Sequence, residues 1–435
     1  MALGGGNFTT QNKVLPGAYI NFVSLNNASA SFSDRGIATM PLELDWGVEG
    51  EVFEVSASDF ARDSLKIFGY NNNHKKMKGL RDLFKNINTL YAYRLNGGGT
   101  KAANTYATAK FSGVRGNDVM IVIQKNVDDE TAFDVMVYLD TMLIDKQTAK
   151  VASELVDNDF VTFNGSATLN VTAGLALSGG ANGTVDGTAH QTYLDKIESS
   201  SFNTMGVVTT DDDIKYLYTN FCKRMRDEVG AKFQVVLYNK AADHEGVINV
   251  NNKVTDDGVS EASLVYWVTG VEAGCAVNKS TLNRIYDGEF AVDVSYTQAE
   301  LESAITSGKF TLHKVGSDIR ILDDVNSLTS FTETKGEIFK ENQTIRVIDQ
   351  VANDMAVLFN TKYLGNIPND ESGRASFRVD VVKHHKELQN IRAIENFNDT
   401  DVTVEKGSDR KSIVVNDAIT PIGMMAKLYS TTIIR

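Results

Sequence analysis

The chain has 435 residues, more than the roughly 250–300 that one hydrophobic core serves, so its length predicts several domains. Its 42% of hydrophobic and 23% of charged residues are typical of a folded soluble protein. The formal net charge of −13 argues against nucleic acid or an anionic membrane as the main partner.

Three further features narrow the class of protein. No run approaches the ~20 apolar residues that a membrane-spanning helix needs. Residues 1–13 have no apolar stretch behind a basic start, so we expect no secretory signal. The two cysteines, Cys222 and Cys275, form no CxxC pair, which favours a reducing compartment over a disulfide scaffold.

The N-terminal stretch is polar and rich in glycine. Residues 1–15 are typical of a flexible arm, Pro16-Gly17 predicts a turn, and residues 18–23 predict a short strand. We therefore expect residues 1–23 to form an N-terminal arm and linker strand.

Two predicted elements precede the first internal glycine-rich stretch. Residues 35–54 predict a turn and a strand around Trp46. Residues 78–93 predict an amphipathic helix because their apolar side chains recur at helical spacing. These side chains are Leu80, Leu83, Phe84, Ile87, Leu90 and Tyr91.

The next block is rich in strands and is bracketed by glycine-rich segments at residues 97–99 and 178–183. Its predicted strands are residues 118–124, 133–139, 161–163 and 167–172. Strands at this spacing predict a small β domain. We therefore expect residues 100–188 to form an inserted, β-rich outer domain.

Helices and strands alternate over residues 189–330. The predicted helices are residues 193–202, 211–229, 260–277 and one that begins at Thr297, where Glu300 completes a capping box. The predicted strands are residues 205–209, 233–238, 246–250, 310–315 and 318–323. This alternation predicts an α/β core domain with a partly parallel sheet, built from residues 24–99 with 189–330.

The last block, residues 331–435, combines one long helix with short strands. The helix, residues 337–359, has an apolar stripe of Ile345, Ile348, Val351, Met355 and Leu358. The predicted strands are residues 375–382, 391–394, 401–405, 412–415 and 427–435. The fold class is therefore mixed α/β (α+β) and multidomain. It comprises an α/β core, a C-terminal α+β domain, an inserted small all-β domain and extended terminal arms.

No combination of residues points to catalysis. Gly97-Gly-Gly-Thr100 lacks the Lys-Ser/Thr of a phosphate loop. Asp211-Asp-Asp213 lies at a predicted helix start, where acidic side chains cap free N–H groups. His384 and His385 are adjacent, so on a strand they would point to opposite faces and could not chelate one ion together. We expect surface histidines, packed cysteines, and no catalytic, cofactor-binding or metal-binding residue.

The sequence features that point to a function lie at the two ends of the given sequence. One is a flexible arm that leads into a strand, and the other is a strand rich in β-branched residues. Each could be donated to the sheet of a neighbouring subunit through main-chain hydrogen bonds. Donation at both ends would link subunits in two directions into an open head-to-tail assembly. Alternatively, both strands pair within their own chain.

Several stretches resemble one protein family. Residues 1–6 (MALGGG), 8–22, 34–47 (DRGIATMPLELDWG) and 418–429 (AITPIGMMAKLY) resemble contractile tail sheath proteins. The similar proteins belong to Gram-positive myophages, defective prophages and R-type phage-tail-like bacteriocins. The similarity extends over essentially the whole chain.

The resemblance implies a structural subunit and not an enzyme. Sheath subunits polymerise into a helical cylinder around the inner tail tube and contract to drive the tube through the target cell envelope. The implied partners are further copies in a six-fold stack of rings, the inner tail tube protein, and baseplate and tail terminator proteins. Neither nucleic acid nor direct membrane binding is implied. The particle would be a virion tail or a phage-tail-like bacteriocin, assembled in the bacterial cytoplasm and released by lysis.

The resemblance also implies roles for three groups of residues. In the family, the N-terminal arm and the C-terminal strand pair with the C-terminal domains of neighbouring subunits. The arm positions here are Phe8, Val14, Leu15, Pro16, Tyr19 and Phe22. The strand positions are Lys427, Leu428, Tyr429, Thr431 and Ile433. The family's C-terminal domain faces the tube, and we assign that contact to the polar face of the predicted helix 337–359, at Lys340, Gln343 and Arg346.

Two other classes of protein are alternatives. An α/β hydrolase-like or nucleotide-using enzyme with a β accessory domain would be favoured by a tight pocket with convergent polar groups. A surface-layer or adhesion protein is the third possibility, and the lack of a signal peptide argues against it.

Overall fold

The computed structural model describes residues 35–434. The six predicted arm positions from Phe8 to Phe22 lie outside these residues. The described residues form two compact units, one of residues 35–350 with 421–434 and one of residues 351–420. No helix within residues 35–434 is both long enough and apolar enough to cross a membrane.

The first regular element is β1, and helices and strands then alternate along most of the described chain. The α-helices are α1 (Ala57–Phe68), α2 (Lys78–Phe84), α3 (Gly187–Ile197), α4 (Asp212–Arg224), α5 (Leu264–Gly274), α6 (Gln298–Thr306), α7 (Asn342–Leu358) and α8 (Glu371–Asn390). The first nine strands are β1 (Ile37–Leu42), β2 (Val52–Ser56), β3 (Thr89–Arg94), β4 (Ala107–Ala109), β5 (Val119–Lys125), β6 (Phe133–Leu139), β7 (Met142–Ala149), β8 (Val161–Phe163) and β9 (Thr172–Ala176). The remaining strands are β10 (Thr204–Val207), β11 (Gln234–Tyr238), β12 (Val247–Val250), β13 (Lys309–Phe310), β14 (Leu312–Val315), β15 (Asp318–Ile321), β16 (Ile394–Glu395), β17 (Val402–Lys406), β18 (Ile413–Asp417) and β19 (Thr420–Pro421).

A seven-stranded sheet organises the larger unit, with strand order β13-β12-β11-β10-β1-β3-β2. Neighbouring strands are parallel except at the edge, where β2 is antiparallel to β3. Every residue of β10, β11 and β12 is buried. These strands are nearly continuous apolar runs because a parallel sheet is covered on both faces.

Helix α5 packs against this sheet and is apolar on almost every side. Two glycines let the end of α2 and the connection that follows it approach α5 closely. A Cβ atom on Gly270 would lie 2.6 Å from the carbonyl oxygen of Leu83, and one on Gly274 would lie 1.9 Å from that of Asn86. Small residues at these positions therefore set the distance between α5 and this connection.

Strands β4 to β9 form sheets of their own, so the chain from β4 to β9 is an insertion between β3 and β10 of the seven-stranded sheet. One sheet has the order β7-β6-β5-β9, and β4 pairs with β8. Their core centres on β-branched side chains such as Ile121 and Val137. Trp46 belongs to the same core, where its ring stacks on Phe160 at 5.8 Å and meets Phe111 edge-on at 5.3 Å.

The two glycine-rich segments at the root of this insertion lie side by side. Thr100 and Ala181 form an antiparallel bridge, and Gly183 donates its N–H to Asn96. A Cβ atom on Gly99 would lie 2.0 Å from the carbonyl oxygen of Ala181. These glycines therefore permit close backbone pairing.

The buried Arg94 also ties the root of the insertion to the core domain. Its guanidinium donates to the carbonyl oxygens of Gly47 and Ser112 at 3.2 and 2.9 Å. Several hydrogen bonds therefore hold the root of the insertion to the core domain.

The smaller unit contains the end of α7, all of α8 and an antiparallel hairpin of β17 and β18. The hairpin register pairs Val402 with Asp417 and Lys406 with Ile413. Strand β17 packs on α8. Within the described residues, β18 pairs with β17 alone, so its outer edge is open.

The predicted fold class is confirmed, and β6 and β8 have the predicted bounds. Among the predicted elements that the structure contradicts are the following three. Residues 78–93 form a helix that ends at Phe84, followed by β3, because this stretch pairs between β1 and β2. Residues 375–382 lie inside helix α8 and not in a strand. Residues 167–172 precede the actual strand β9. Helix α1 and strand β7 were not predicted.

Candidate functional site

The C-terminal segment, residues 422–434, is the most exposed apolar stretch of the described chain. It contains no assigned strand, so the strand predicted at residues 427–435 does not form within the subunit. Leu428 is 91% exposed, Tyr429 is 88% exposed and Ile433 is 81% exposed. Thr431 and Lys427 are exposed as well. Among residues 35–434, this segment therefore has no strand partner.

The root of the C-terminal segment is held by α7. The side-chain amide of Gln343 donates to the carbonyl oxygen of Ile422 at 2.7 Å. Beside this bond lies a cavity of about 320 Å³, lined by acidic side chains together with Met424 and Lys427. Its carboxylates include Asp323 and Glu341, whose pKa values are raised by burial. The segment therefore leaves the subunit beside a concentration of negative charge.

The prediction that Arg346 presents a polar surface toward a partner is wrong. Its side chain is 2% exposed and bridges two buried carboxylates, with Nη1 2.5 Å from Glu272 Oε2 and Nη2 2.5 Å from Asp324 Oδ2. Gln343 is also buried, whereas Lys340 is half-buried and donates to the carbonyl oxygen of Thr306. The face of α7 expected to be polar and exposed instead holds an internal ion cluster.

The charges in this cluster are strongly coupled. Burial and the neighbouring Asp324 raise the pKa of Glu272 to about 7. Burial alone would also raise the pKa of Asp324, but the Arg346 guanidinium and the N–H of Thr281 hold it below its usual value. Arg346 compensates the charges of two buried carboxylates. Its removal would therefore be costly, because both carboxylates would be left without compensation.

One group of three potential metal ligands occurs in residues 35–434: Asp227, His244 and Glu245. His244 Nε2 lies 3.3 Å from Asp227 and 3.7 Å from Glu245. However, His244 Nδ1 accepts the backbone N–H of Gly246 at 3.0 Å. The neutral ring therefore carries its proton on Nε2, where a metal would need a lone pair. The geometry fits a hydrogen bond to the carboxylates better than a metal centre.

The expectation of surface histidines is wrong for four of the six. His190, His244, His384 and His385 are buried. His384 and His385 lie on helix α8, each within hydrogen-bond distance of a carboxylate. The sequence contained the signal for this helix, because Phe377, Val381, His384 and Leu388 recur at helical spacing.

The two cysteines are packed thiols, as predicted. Both are buried and neither forms a disulfide. Burial raises the pKa of Cys222 to about 12, and burial also raises the pKa of Cys275. Neither side chain is therefore a nucleophile near neutral pH.

A cavity of about 660 Å³ lies at the carboxyl end of β1, where parallel sheets commonly bind small molecules. Its walls combine apolar and charged side chains, and four of the charged side chains form two ion pairs. Lys76 is paired with Asp45, and Lys78 Nζ lies 2.6 Å from Asp256 Oδ1. No nucleophile with an adjacent base lines this cavity, so it does not supply the convergent site that an enzyme would need.

Four family models of phage tail sheath proteins match successive parts of the chain. The domain III N-terminal region matches residues 35–95, and the β-sandwich domain matches residues 97–182. The central domain matches residues 183–327, and the C-terminal domain matches residues 334–435.

Relatives and solved structures match over almost the full length. The phage-like element PBSX protein XkdK of Bacillus subtilis is 33% identical over 98% of this chain and 99% of its own. The sheath tail protein of Desulfitobacterium hafniense is 38% identical, covers 95% of this chain and 99% of its own, and superposes with a TM-score of 0.83. The contracted helical sheath of the anti-feeding prophage shares the fold at 12% identity, with a TM-score of 0.53 over 96% of this chain and 99% of its own.

The fold is that of a contractile-sheath protein, and the chain belongs to the phage tail sheath protein family. It is a structural subunit of a contractile tail sheath, in a phage tail or a phage-tail-like particle, and not an enzyme. The enzyme alternative has no support among the relatives.

Proposed function

We propose that this subunit polymerises into a helical cylinder, a six-fold stack of rings around an inner tail tube. Contraction of the cylinder drives the tube through the envelope of the target cell. A baseplate and a tail terminator bound the cylinder at its two ends. The particle assembles in the bacterial cytoplasm and is released by lysis. Its contacts are with protein, which suits a net charge of −13 better than contacts with nucleic acid or an anionic membrane.

The exposed C-terminal segment is the observation that carries this proposal. Burying one large apolar side chain such as Leu428 contributes ~1.5–3 kcal/mol, so its 91% exposure leaves that free energy available for assembly. In an extended strand, Leu428 and Ile434 share one face, while Tyr429 and Ile433 share the other. Both faces therefore bring apolar side chains to a neighbour's sheet.

The open edge of β18 is the acceptor that we propose in the neighbouring subunit. Val414 is 47% exposed and Val415 is 38% exposed on this strand. An added strand would satisfy the backbone groups of the edge and cover these side chains. The N-terminal arm of another neighbour, through the positions between Phe8 and Phe22, would extend the same sheet.

Each domain has a different position in the proposed assembly. We propose that residues 331–435 face the tube and that the inserted domain, residues 100–188, lies on the outside of the α/β core of residues 24–99 with 189–330. Of the three residues assigned to the tube contact, Gln343 and Arg346 are engaged internally, and Lys340 remains the candidate. We propose no nucleotide site, so the energy for contraction does not come from nucleotide hydrolysis. It is stored when the subunits assemble, in a packing that later converts to one of lower free energy.

Substitution within the C-terminal segment tests strand exchange. We expect the Tyr429→Asp/Ile433→Asp variant to remain unassembled, because a donated strand would have to bury both charges. The matched control is Val127→Asp, which changes a 93% exposed residue on the inserted domain. Sedimentation velocity measures polymer formation, and circular dichroism checks that each variant is folded. Equal polymerisation of the double variant and the control would contradict strand exchange.

A further inference from the structure

Asparagine followed by glycine occurs three times in the chain, at Asn96-Gly97, Asn164-Gly165 and Asn182-Gly183. In this dipeptide the glycine nitrogen can attack the side-chain carbonyl carbon of the asparagine, because no Cβ atom hinders its approach. Two of the pairs lie at the root of the insertion, and the third lies in a turn of the inserted domain. The three sites therefore share one intrinsic reactivity and differ mainly in how the fold constrains them.

Hydrogen bonds constrain both asparagines at the root of the insertion. Asn96 is buried, and its Oδ1 accepts the backbone N–H of Leu44 at 2.9 Å. Asn182 donates from Nδ2 to Asp45 Oδ1 at 2.9 Å. The nitrogen that would attack Asn182 belongs to Gly183, whose N–H donates to the Asn96 carbonyl oxygen at 3.0 Å. Attack at either site therefore requires the root of the insertion to open.

The third pair lies in an exposed turn directly after β8. Asn164, Gly165 and Ser166 are all exposed. The N–H of Gly165 has no acceptor among residues 35–434. Attack by this nitrogen therefore breaks none of the hydrogen bonds within the described part of the chain.

Two hydrogen bonds orient the side-chain amide of Asn164. Ser166 donates its backbone N–H to Oδ1 at 3.2 Å, and Nδ2 donates to the carbonyl oxygen of Thr105 at 3.1 Å. The first bond places a donor on the oxygen that becomes negative when the side-chain carbonyl carbon is attacked. The second bond is exposed, so water can replace Thr105 as the acceptor at little cost in free energy. The turn therefore leaves the amide open to attack and stabilises the charge that develops.

We propose that Asn164 is a site of spontaneous deamidation, where the native subunit is modified ahead of its two other Asn-Gly pairs. The Gly165 nitrogen forms a bond to Asn164 Cγ, its proton passes through water to the leaving amide group, and ammonia departs to leave a cyclic imide. Water then opens the imide at either carbonyl carbon and gives aspartate or isoaspartate. The overall reaction consumes one water molecule and releases one ammonia molecule, so it needs no other reactant.

The modification changes the pairing of β4 with β8. Asn164 donates its backbone N–H to the carbonyl oxygen of Tyr106 at 2.8 Å, next to the pair formed by Ala107 and Phe163. Isoaspartate adds a methylene group to the main chain at this point, and both products lose the Nδ2 donor to Thr105. The converted subunit should therefore show faster hydrogen exchange in β4 and β8, and it carries one additional negative charge.

Peptide mapping of the full chain by mass spectrometry, after incubation at pH 8, tests the proposal. Conversion of each asparagine is followed over time in the native protein and in urea. We expect Asn164 to convert first in the native protein while Asn96 and Asn182 are retained, and all three to convert at comparable rates in urea. Conversion of Asn164 should be slower at pH 6 than at pH 8, because the attacking nitrogen must lose its proton.

Gly165→Ala is a matched variant that the structure can accommodate. Gly165 has no positive φ, and a Cβ atom there would lie 3.4 Å from Ser153 Cα, which is an ordinary contact. The added carbon restricts the backbone and hinders the attacking nitrogen, so conversion of Asn164 should slow about threefold or more. Gly187→Ala, where a Cβ atom would meet nothing within 4 Å, is the control and should leave the rate unchanged.

Two results would overturn the proposal. One is conversion of Asn164 in the native wild type that is no faster than conversion of Asn182, a comparison that requires no variant to fold. The other is an equal rate of Asn164 conversion in Gly165→Ala and in the wild type. Conversion is measured on unassembled subunits, so neither result bears on the proposed strand exchange.

Discussion

Replacing Arg346 by methionine tests whether this side chain stabilises the interior of the subunit or contacts a partner at its surface. The side chain is 2% exposed, and its guanidinium contacts both Glu272 and Asp324. Removing the cation from a buried ion pair costs ~3–5 kcal/mol, because the remaining charge has lost its compensation. We therefore expect Arg346→Met to lower the free energy of unfolding by about this amount at pH 8. The same substitution at Arg62, whose side chain is 74% exposed, should cost less than ~0.5 kcal/mol.

The pH dependence of the Arg346→Met variant gives a second test. Burial and Asp324 raise the pKa of Glu272 to about 7 even with the arginine present, and loss of the cation raises it further. An acid with a raised pKa binds more protons in the folded state, so its contribution to stability is present at low pH and is lost as the pH rises through the folded pKa. The variant should therefore be less destabilised at pH 6 than at pH 8.

Urea denaturation followed by tryptophan fluorescence measures both effects. Trp267 lies on α5, the helix that carries Glu272, and is fully buried. Arg62→Met provides the baseline at each pH. If Arg346→Met were as stable as this control at pH 8 but failed to bind the tube protein, the internal role would be refuted and the surface role supported.

Three further predictions concern packing and reactivity. Trp46→Ala should destabilise the inserted domain by ~3–5 kcal/mol, measured as faster hydrogen exchange in β5 and β6, because the ring fills the core beside Phe160; an unchanged exchange rate would contradict this. Gly274→Ala should destabilise the α/β core by ~1–3 kcal/mol in urea denaturation, since the methyl group would lie 1.9 Å from the Asn86 carbonyl oxygen; stability equal to the wild type would show that α5 can shift. Cys222 should react with a thiol reagent at pH 8 only in denaturant, because burial raises its pKa to about 12; rapid labelling of the native protein would disprove its burial.

The parts of the fold that the sequence predicted best are those with strong local signals. The strand Phe133–Leu139 is an apolar run bounded by polar turns, and it formed with the predicted bounds. The capping box of Thr297 and Glu300 is present, with Glu300 accepting the Thr297 N–H at 2.7 Å. In both cases, neighbours within a few residues determine the conformation.

The errors arose where distant residues decide the conformation. Leu90 and Tyr91 continue a helical spacing, yet they belong to a strand because β3 fills the place between β1 and β2. Helix α1 had a signal that was overlooked, the capping box of Ser56 and Asp59. The burial of Arg346 could not be predicted, because Glu272 and Asp324 lie 74 and 22 residues away in sequence.

The C-terminal segment shows a second kind of limit to prediction, in which the subunit alone does not form an element that the sequence predicts. Its composition suggested a strand, and in the subunit residues 422–434 form none. A strand donated as proposed above would acquire its partners only in the assembly, so its conformation would depend on a second chain. The family resemblance supplied that context, whereas the residues alone left pairing within the chain open.

Negative-stain electron microscopy of the purified chain over a range of concentrations tests the central claim most directly. The variant that lacks residues 1–17 is examined beside the full chain. We expect hollow cylinders that lengthen with concentration for the full chain, and isolated subunits for the variant without the arm. Cylinders of equal length from both proteins, or monomers from both at every concentration, would contradict a sheath lattice held together by exchanged strands.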